Sequence, residues 1–358
     1  MKNFSKICYC GESRLIFFNE SNESHENNAS TASDKNETPQ EQKETPITPE
    51  SVTNAPHTIA DVLKATEAIL GKDIVWDLPN GADLEKILPQ LRSELGELNN
   101  VLESRAGLGV QGVRDINKFL EQKGFSIRLD ENQANEITIS AASVLKLEGE
   151  WHGEHAPKKI EEFKLESTKE VPAVKFKKVN SYTIEGHKYP IIELKTFVRP
   201  EEGFREGDPV GPVVCVTRFD GDLPGGASGL YSMTSDWIKK LKGKKAEKVN
   251  ATVPMIDYQK SGDISELLQG STTGKDGLPA VIDQAIFEHI LKMNEKGFLA
   301  KAAAAVMMSR GIDISASREV NIDGPFVMWV EQRGVNAFSA YISEDDMKDP
   351  GNFQEKND

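Results

Sequence analysis

Asn294 to Trp329 reads NEKGFLAKAAAAVMMSRGIDISASREVNIDGPFVMW, and the way this stretch folds decides the architecture of the chain. An acid and a glycine, Glu295 and Gly297, lead into alanines at Ala300, Ala302, Ala303, Ala304 and Ala305. No proline follows until Pro325, where an apolar, strand-like run begins. Propensity alone reads KAAAAVMM as a surface helix, because Ala, Met and Lys stand near the top of the helix scale. The segment before it, Val281 to Met293, has apolar residues at both helical and strand-like spacings, so periodicity leaves it open.

The bulk properties bound the answer. At 358 residues the chain has length for one large domain or two ordinary ones with a buried core. A net charge of −14 argues against a general nucleic-acid or anionic-membrane binder and favours solubility. Nothing approaches the run of about 20 apolar residues of a membrane span. The three cysteines, Cys8, Cys10 and Cys215, form no disulfide framework, and Cys-x-Cys has no evident metal-binding partners. Glu12 and Arg14 interrupt the apolar residues near the N-terminus, a poor secretory signal, which points to a cytoplasmic or non-classically secreted protein.

Residues 1–56 are rich in Asn, Ser, Thr, Glu and Lys and cannot bury enough surface to offset chain entropy, so a disordered polar tail is expected. Asn19, Asn22, Asn28 and Asn36 stand in N-x-S/T context, as chance allows in such a tract. Structure is expected from about Thr58, where Thr-x-x-Asp precedes a stripe of Ile59, Val62, Leu63, Ile69 and Leu70. Helical stretches follow around Leu84 to Leu102, which Pro89 kinks or restarts, and around Val113 to Gln122, closed by Gly124. GLGVQG at 107–112 matches G-x-G-x-x-G, but a charged helix is read before it where a strand is required, so a turn is expected. From Ile137 the period changes to two and runs to Gly149 and Trp151. Strand-like runs recur at Val171–Val179, Tyr189–Thr196, Val213–Phe219, Val249–Met255 and Phe326–Val330, with a helix at Ser235–Leu241 among them. Helices first and strands after imply an α+β fold with a large mixed sheet.

No catalytic constellation emerges. His152 and His155 in H-G-E-H lack zinc-protease spacing and read as surface or turn residues. Ser228 in GGASGL misses the last glycine of a nucleophile elbow and reads as a flexible surface turn. There is no phosphate loop and no acidic pair of catalytic type, which favours a protein that binds over one that turns over.

Five pieces of the chain, in order, resemble the serpins between about residues 112 and 343. RDINKFLEQKGFSIRL (114–129) resembles a family helix with an Ile-Asn pair, and SVLKLEGEW (143–151) resembles N-A-x-x-F-K-G-x-W, with Trp151 as the tryptophan at the top of the sheet. YPIIELKT (189–196), AEKVNATVPMIDYQKSGDISELL (246–268) and DGPFVMWVEQRGVNAFSAYI (323–342) are similar to later family strands. The resemblance implies a serpin-like domain over 57–344, with a flexible C-terminal tail at 345–358 and an exposed reactive loop at about 297–320. Glu295, Gly297, Ala300 and Ala302 to Ala305 would be a hinge able to enter the sheet as an extra strand, for which the absence of proline is suitable. There are departures: a short N-terminal helical region, no S-P-x-S helix start, Ser143 for the usual asparagine, and Phe287 where a histidine is common. Phe298 and Leu299 follow Gly297 in place of a small hydroxyl residue.

Two alignments of the loop remain open. Counted straight from Glu295, a phenylalanine enters the sheet and the scissile bond falls between Arg310 and Ile312. With Phe298 and Leu299 as a two-residue insertion, strand alternation is kept and the bond falls nearer Asp313–Ile314. The reactive-bond candidates are therefore Arg310, Gly311, Ile312, Asp313 and Ile314; Arg310 would suit a trypsin-like pocket and Asp313 an acid-reading protease. By resemblance the chain is expected to be a monomeric, cofactor-free inhibitor of a serine or cysteine protease, with no nucleic acid or membrane partner. The alternatives are a non-inhibitory interaction module of the same fold, and an unrelated α+β enzyme.

Overall fold

The computed structural model describes residues 5–10, 50–71, 74–78, 80–151, 156–197, 210–225, 228–265, 268, 270–273, 279–300 and 318–351. In chain order these residues form β1 (Ser5–Cys10), β2 (Val52–Asn54), α1 (Pro56–Leu70), α2 (Ala82–Glu94), β3 (Leu102–Leu108), α3 (Gly109–Gln122), β4 (Ile139–Leu145), β5 (Leu147–Trp151) and β6 (Lys158–Lys164). They continue as β7 (Glu170–Tyr182), β8 (Ile191–Phe197), β9 (Val210–Arg218), α4 (Gly229–Leu241), β10 (Glu247–Pro254), β11 (Ile256–Asp263) and β12 (Ser271–Thr273). Last come β13 (Pro279–Met293), β14 (Gly297–Ala300), β15 (Arg318–Asn321), β16 (Phe326–Gln332) and β17 (Val335–Ile342).

The strands join in three groups, an α+β arrangement with few helices and much sheet. The first runs from β3 through the end-to-end pair β4 and β5 to β13 and β11. The second is an antiparallel series of β8, β9, β16, β17 and β2. The third places β7 between β6 and β10, with β15 parallel to β10. Pairing of β5 and β7 with β8 connects them.

Burial follows the two-residue strand period. Along β4, Ile139 and Ala141 face a core with Ile59, Leu63 and Leu84 of α1 and α2, whereas Ala142 and Val144 face Val113, Ile116, Phe119 and Leu120 of α3. The first group is therefore covered on both faces at β4. A further core packs Trp237 of α4 against Trp329 of β16, with ring centroids 5.5 Å apart.

Several expectations are corrected. α1 begins at Pro56, ahead of Thr58, because proline lacks the N–H that a first-turn residue cannot use; Thr58 Oγ1 instead donates to the Ala55 carbonyl at 2.8 Å. Pro89 lies inside α2, which continues to Glu94 and then tightens into a 3-10 turn over Leu95–Leu98. The expected turn at 107–112 is a strand-to-helix junction: β3 precedes it, and the two glycines Gly107 and Gly112 let the backbones meet where a Cβ on either would collide. α4 starts at Gly229, so Ser228 is a buried helix-start residue in place of a surface turn. The ambiguous run Val281 to Met293 lies in the strand β13, paired with β11 along Ile286–Met293.

The boundaries drawn from composition also shift. Val52–Asn54, inside the expected tail, pairs with Ser339–Tyr341 of β17, and Ser5–Cys10 runs parallel to β13 and, at Ile7 and Cys8, to β4. At the other end Met347 is buried and the Asn294 amide donates to the Gly351 carbonyl at 3.1 Å, so packing continues past 344.

Candidate functional site

β13 turns back on itself through Asn294–Lys296, and the four residues that follow enter the sheet. The Asn294 N–H donates to the Gly297 carbonyl at 3.0 Å, and its side-chain oxygen accepts from the Lys296 N–H at 2.9 Å, a local turn bond of the kind asparagine favours. β14 then lies antiparallel to both its neighbours. Met293 pairs with Phe298 on one side; on the other, Gly297, Phe298, Leu299 and Ala300 pair with Glu150, Gly149, Glu148 and Leu147. Since β14 opposes both, β5 and β13 are parallel to each other and stand one strand apart.

Trp151 closes the top of this slot. Its indole N–H donates to the Asn294 carbonyl at 2.7 Å; its ring meets Phe176 edge-on at 5.1 Å and lies 6.1 Å from that of Phe298. Phe298 is fully buried and belongs to the same core as Trp151, Phe176 and Met293. Two glycines make the close approach possible. A Cβ on Gly149 would press into the Thr196 side chain, and one on Gly297 would strike the Gly149 carbonyl. Gly297→Ala is therefore expected to dislodge β14, read as at least tenfold faster amide exchange at 297–300 with β11–β13 pairing unchanged.

Below β14 the slot is a window. β1 pairs with β13 only as far as Ile286, and β14 reaches down only to Leu147 of β5. Between them lies a cavity of about 280 Å³, edged by Ser143–Lys146 and Phe287–Ile290, with Leu120, Phe125 and Ile127 on the α3 side and Thr58 and Phe338 on the other. The strand edges facing it carry main-chain groups with the spacing needed to receive another strand.

Behind the window, side chains at and beside the two departing positions, Ser143 and Phe287, are wired to neighbouring elements. Ser143 Oγ donates to Asp61 of α1 at 2.9 Å. Two residues along β13 from Phe287, on the same face, His289 Nδ1 meets Thr53 Oγ1 at 2.6 Å and packs near Phe287 and Phe338. Burial disfavours its charged form and lowers the His289 pKa to about 4. His289 and Thr53 were missed as site residues because they are over two hundred positions apart and join through β2, a strand that polar composition hid.

Of the sequence-predicted residues, Glu295, Gly297, Trp151 and the backbone of Ala300 lie together at this slot. Ala302 to Ala305, Arg310, Gly311, Ile312, Asp313 and Ile314 lie outside the described residues, as do His152 and His155. Among the described residues no cluster of potential metal ligands occurs and no helix is long and apolar enough to cross a membrane.

No family model matches the sequence, and no curated protein matches it. Solved structures do. Thyroxine-binding globulin in complex with thyroxine aligns with a TM-score of 0.52 and 12% identity, over 86% of this chain and 94% of that one. Uncleaved ovalbumin aligns with a TM-score of 0.50 and 15% identity, over 82% and 92%. Serpin48 of the insect Tenebrio molitor aligns with a TM-score of 0.45 and 14% identity, over 80% and 96%. With its parallel strands parted beside Trp151 and its likeness to the first two of these, the chain has the serpin fold.

Proposed function

We propose that this protein is a serpin-type protease inhibitor that works once, as a suicide substrate. The observation that carries the reading is β14, seated between parallel β5 and β13 at the head of a slot whose middle is still open. The loop that leaves Ala300 is offered to a protease. The protease's serine hydroxyl or cysteine thiol attacks the scissile carbonyl, forming an ester or thioester to the hinge side while the amine on the Pro325 side departs. Severed, the hinge side extends β14 into the window and carries the attached protease with it. Energy stored in the uncut fold drives the step, a metastability of kinetic origin, and displacement spoils the protease's oxyanion site before water can release it.

The unbroken register of Gly297 to Ala300 against β5 supports counting the loop straight from Glu295, with Phe298 entering the sheet. On that count the proposed bond falls between Arg310 and Ile312, and the proposed target is trypsin-like. The second reading, a non-inhibitory interaction module, draws on the same residue: with Phe298 already buried, the first step of insertion needs no cleavage.

Incubation with a trypsin-like protease is expected to give an adduct that survives SDS, with its acyl bond after Arg310. Chain nicked in 301–317 without trapping is expected to melt at least 20 °C above the uncut chain. Nicked chain with no adduct supports the module; nicked chain with neither adduct nor raised melting temperature ends the insertion reading.

A further inference from the structure

Glu288 is a buried carboxylate to which the proposed loop insertion gives no role. It stands in β13 at the level of the window, on the α3 face, since its neighbours Phe287 and His289 point the other way. Its two oxygens accept four hydrogen bonds: from the Ser126 N–H at 2.6 Å, Ser126 Oγ at 2.9 Å, the Ile127 N–H at 3.1 Å and Gln259 Nε2 at 2.7 Å. Burial raises the carboxyl pKa, but these donors outweigh it and hold the group below its ordinary range.

Ser126 and Ile127 belong to the strap, residues 123–130, that leaves the end of α3. The strap is fixed to both banks of the slot. On the β4 side, Phe119 and Leu120 of α3 pack on Ala142 and Val144, and Asn117 exchanges two hydrogen bonds with the Leu129 main chain. On the β13 side the anchors are Glu288 and, four residues earlier, Gln284, whose side-chain oxygen accepts from the Asp130 N–H at 3.1 Å. The strap thus roofs the window, with Phe125 and Ile127 lining the cavity. A strand filling the window turns every second side chain towards that roof. The roof must lift for anything larger than a small side chain, and lifting it breaks the Glu288 bonds.

We propose that Glu288 is a positioning residue, the latch that holds the strap over the slot and sets how fast the loop enters. The proposal rests on the insertion reading. Losing the latch removes several charge-assisted bonds from the uncut state, while the inserted state has already given them up. The barrier to insertion therefore falls.

The test compares the full chain with Glu288→Ala and with Ser126→Ala, a milder change that leaves the carboxylate in place. Amide exchange of the uncut protein is measured, and, after nicking by trypsin in 301–317, so is the rate at which thermal stability rises. Glu288→Ala is expected to speed exchange at 123–130 and conversion by about tenfold each, with Ser126→Ala between it and wild type. Arg92→Met, which removes the Arg92–Glu67 contact away from the slot, lowers the melting temperature without faster conversion. Unchanged strap exchange in Glu288→Ala, or faster exchange with conversion at the wild-type rate, overturns the latch. If wild type does not convert after nicking, the insertion reading fails separately; strap exchange alone then decides whether Glu288 fastens the strap.

Discussion

Trp151→Ala is expected to destabilise the uncut chain by about 3–5 kcal/mol, the cost of removing a buried tryptophan from a core that closes only partly around the gap. The cost has three parts on three elements. The ring fills the space between Phe176 of β7 and Phe298 of β14, so both lose a packing surface. The Asn294 carbonyl loses the indole donor, a bond of about 1 kcal/mol net whose removal leaves a buried acceptor without that partner. β14 loses the contact that holds Phe298 in the slot, and amide exchange at 297–300 is expected to rise with the loss of stability. Trp151→Phe separates these effects, since it keeps most of the apolar volume and removes only the donor. Urea unfolding of both variants should show the alanine change at least twice as costly as the phenylalanine change; equal losses would mean that the hydrogen bond alone matters and that Phe298 packs independently of the ring.

Legibility in the sequence follows how local each signal is. The long strand ending in Gly149 and Trp151 was readable because alternation is a period-two signal within one segment, and the glycine marked a close approach that Thr196 enforces. The expected helix over KAAAAVMM, residues 301–308, lies outside the described residues, and the four residues before it carry no strong local signal: pairing with β5 and β13 is what makes Gly297 to Ala300 a strand. The junction at 107–112 was misread because LESRAGL is polar and half exposed; pairing with β4, and not its own apolar content, makes it a strand. Least legible was the wiring around the window. Glu288 is the sole charge within IFEHIL, and nothing within that run shows that it is clasped by main-chain N–H groups from an element over 160 positions away. Such contacts are properties of the assembled sheet, and a single segment carries no trace of them.

The His289–Thr53 pair gives the slot a pH dependence of defined sign. The imidazole is held neutral in the fold, with a pKa of about 4 against an ordinary 6.5, because burial penalises its charged form. Between those values the unfolded chain binds a proton that the folded chain refuses. The stabilising effect is complete above pH 6.5 and is lost as pH falls towards 4. A shift of this size corresponds to about 3 kcal/mol at most, and His289 borders the window, where solvent can screen part of the penalty. We expect a loss of about 1–2 kcal/mol between pH 7 and pH 5 from this group. Carboxylates with lowered values, among them Glu94 and Glu288, lose their contribution only below their ordinary range. His187, also lowered by burial, loses stability in the same direction as His289, and Glu331, raised by burial, acts in the opposite sense, so the difference between wild type and variant is what isolates His289. Urea unfolding at pH 7, 6 and 5 should show the loss in wild type and a flatter profile in His289→Gln, whose amide can still meet Thr53 but takes up no proton. Parallel profiles for the two proteins would place the acid sensitivity elsewhere. A flat profile in the variant alone would mean that acid strains the contact between β13 and β2, behind the window that the loop is proposed to enter.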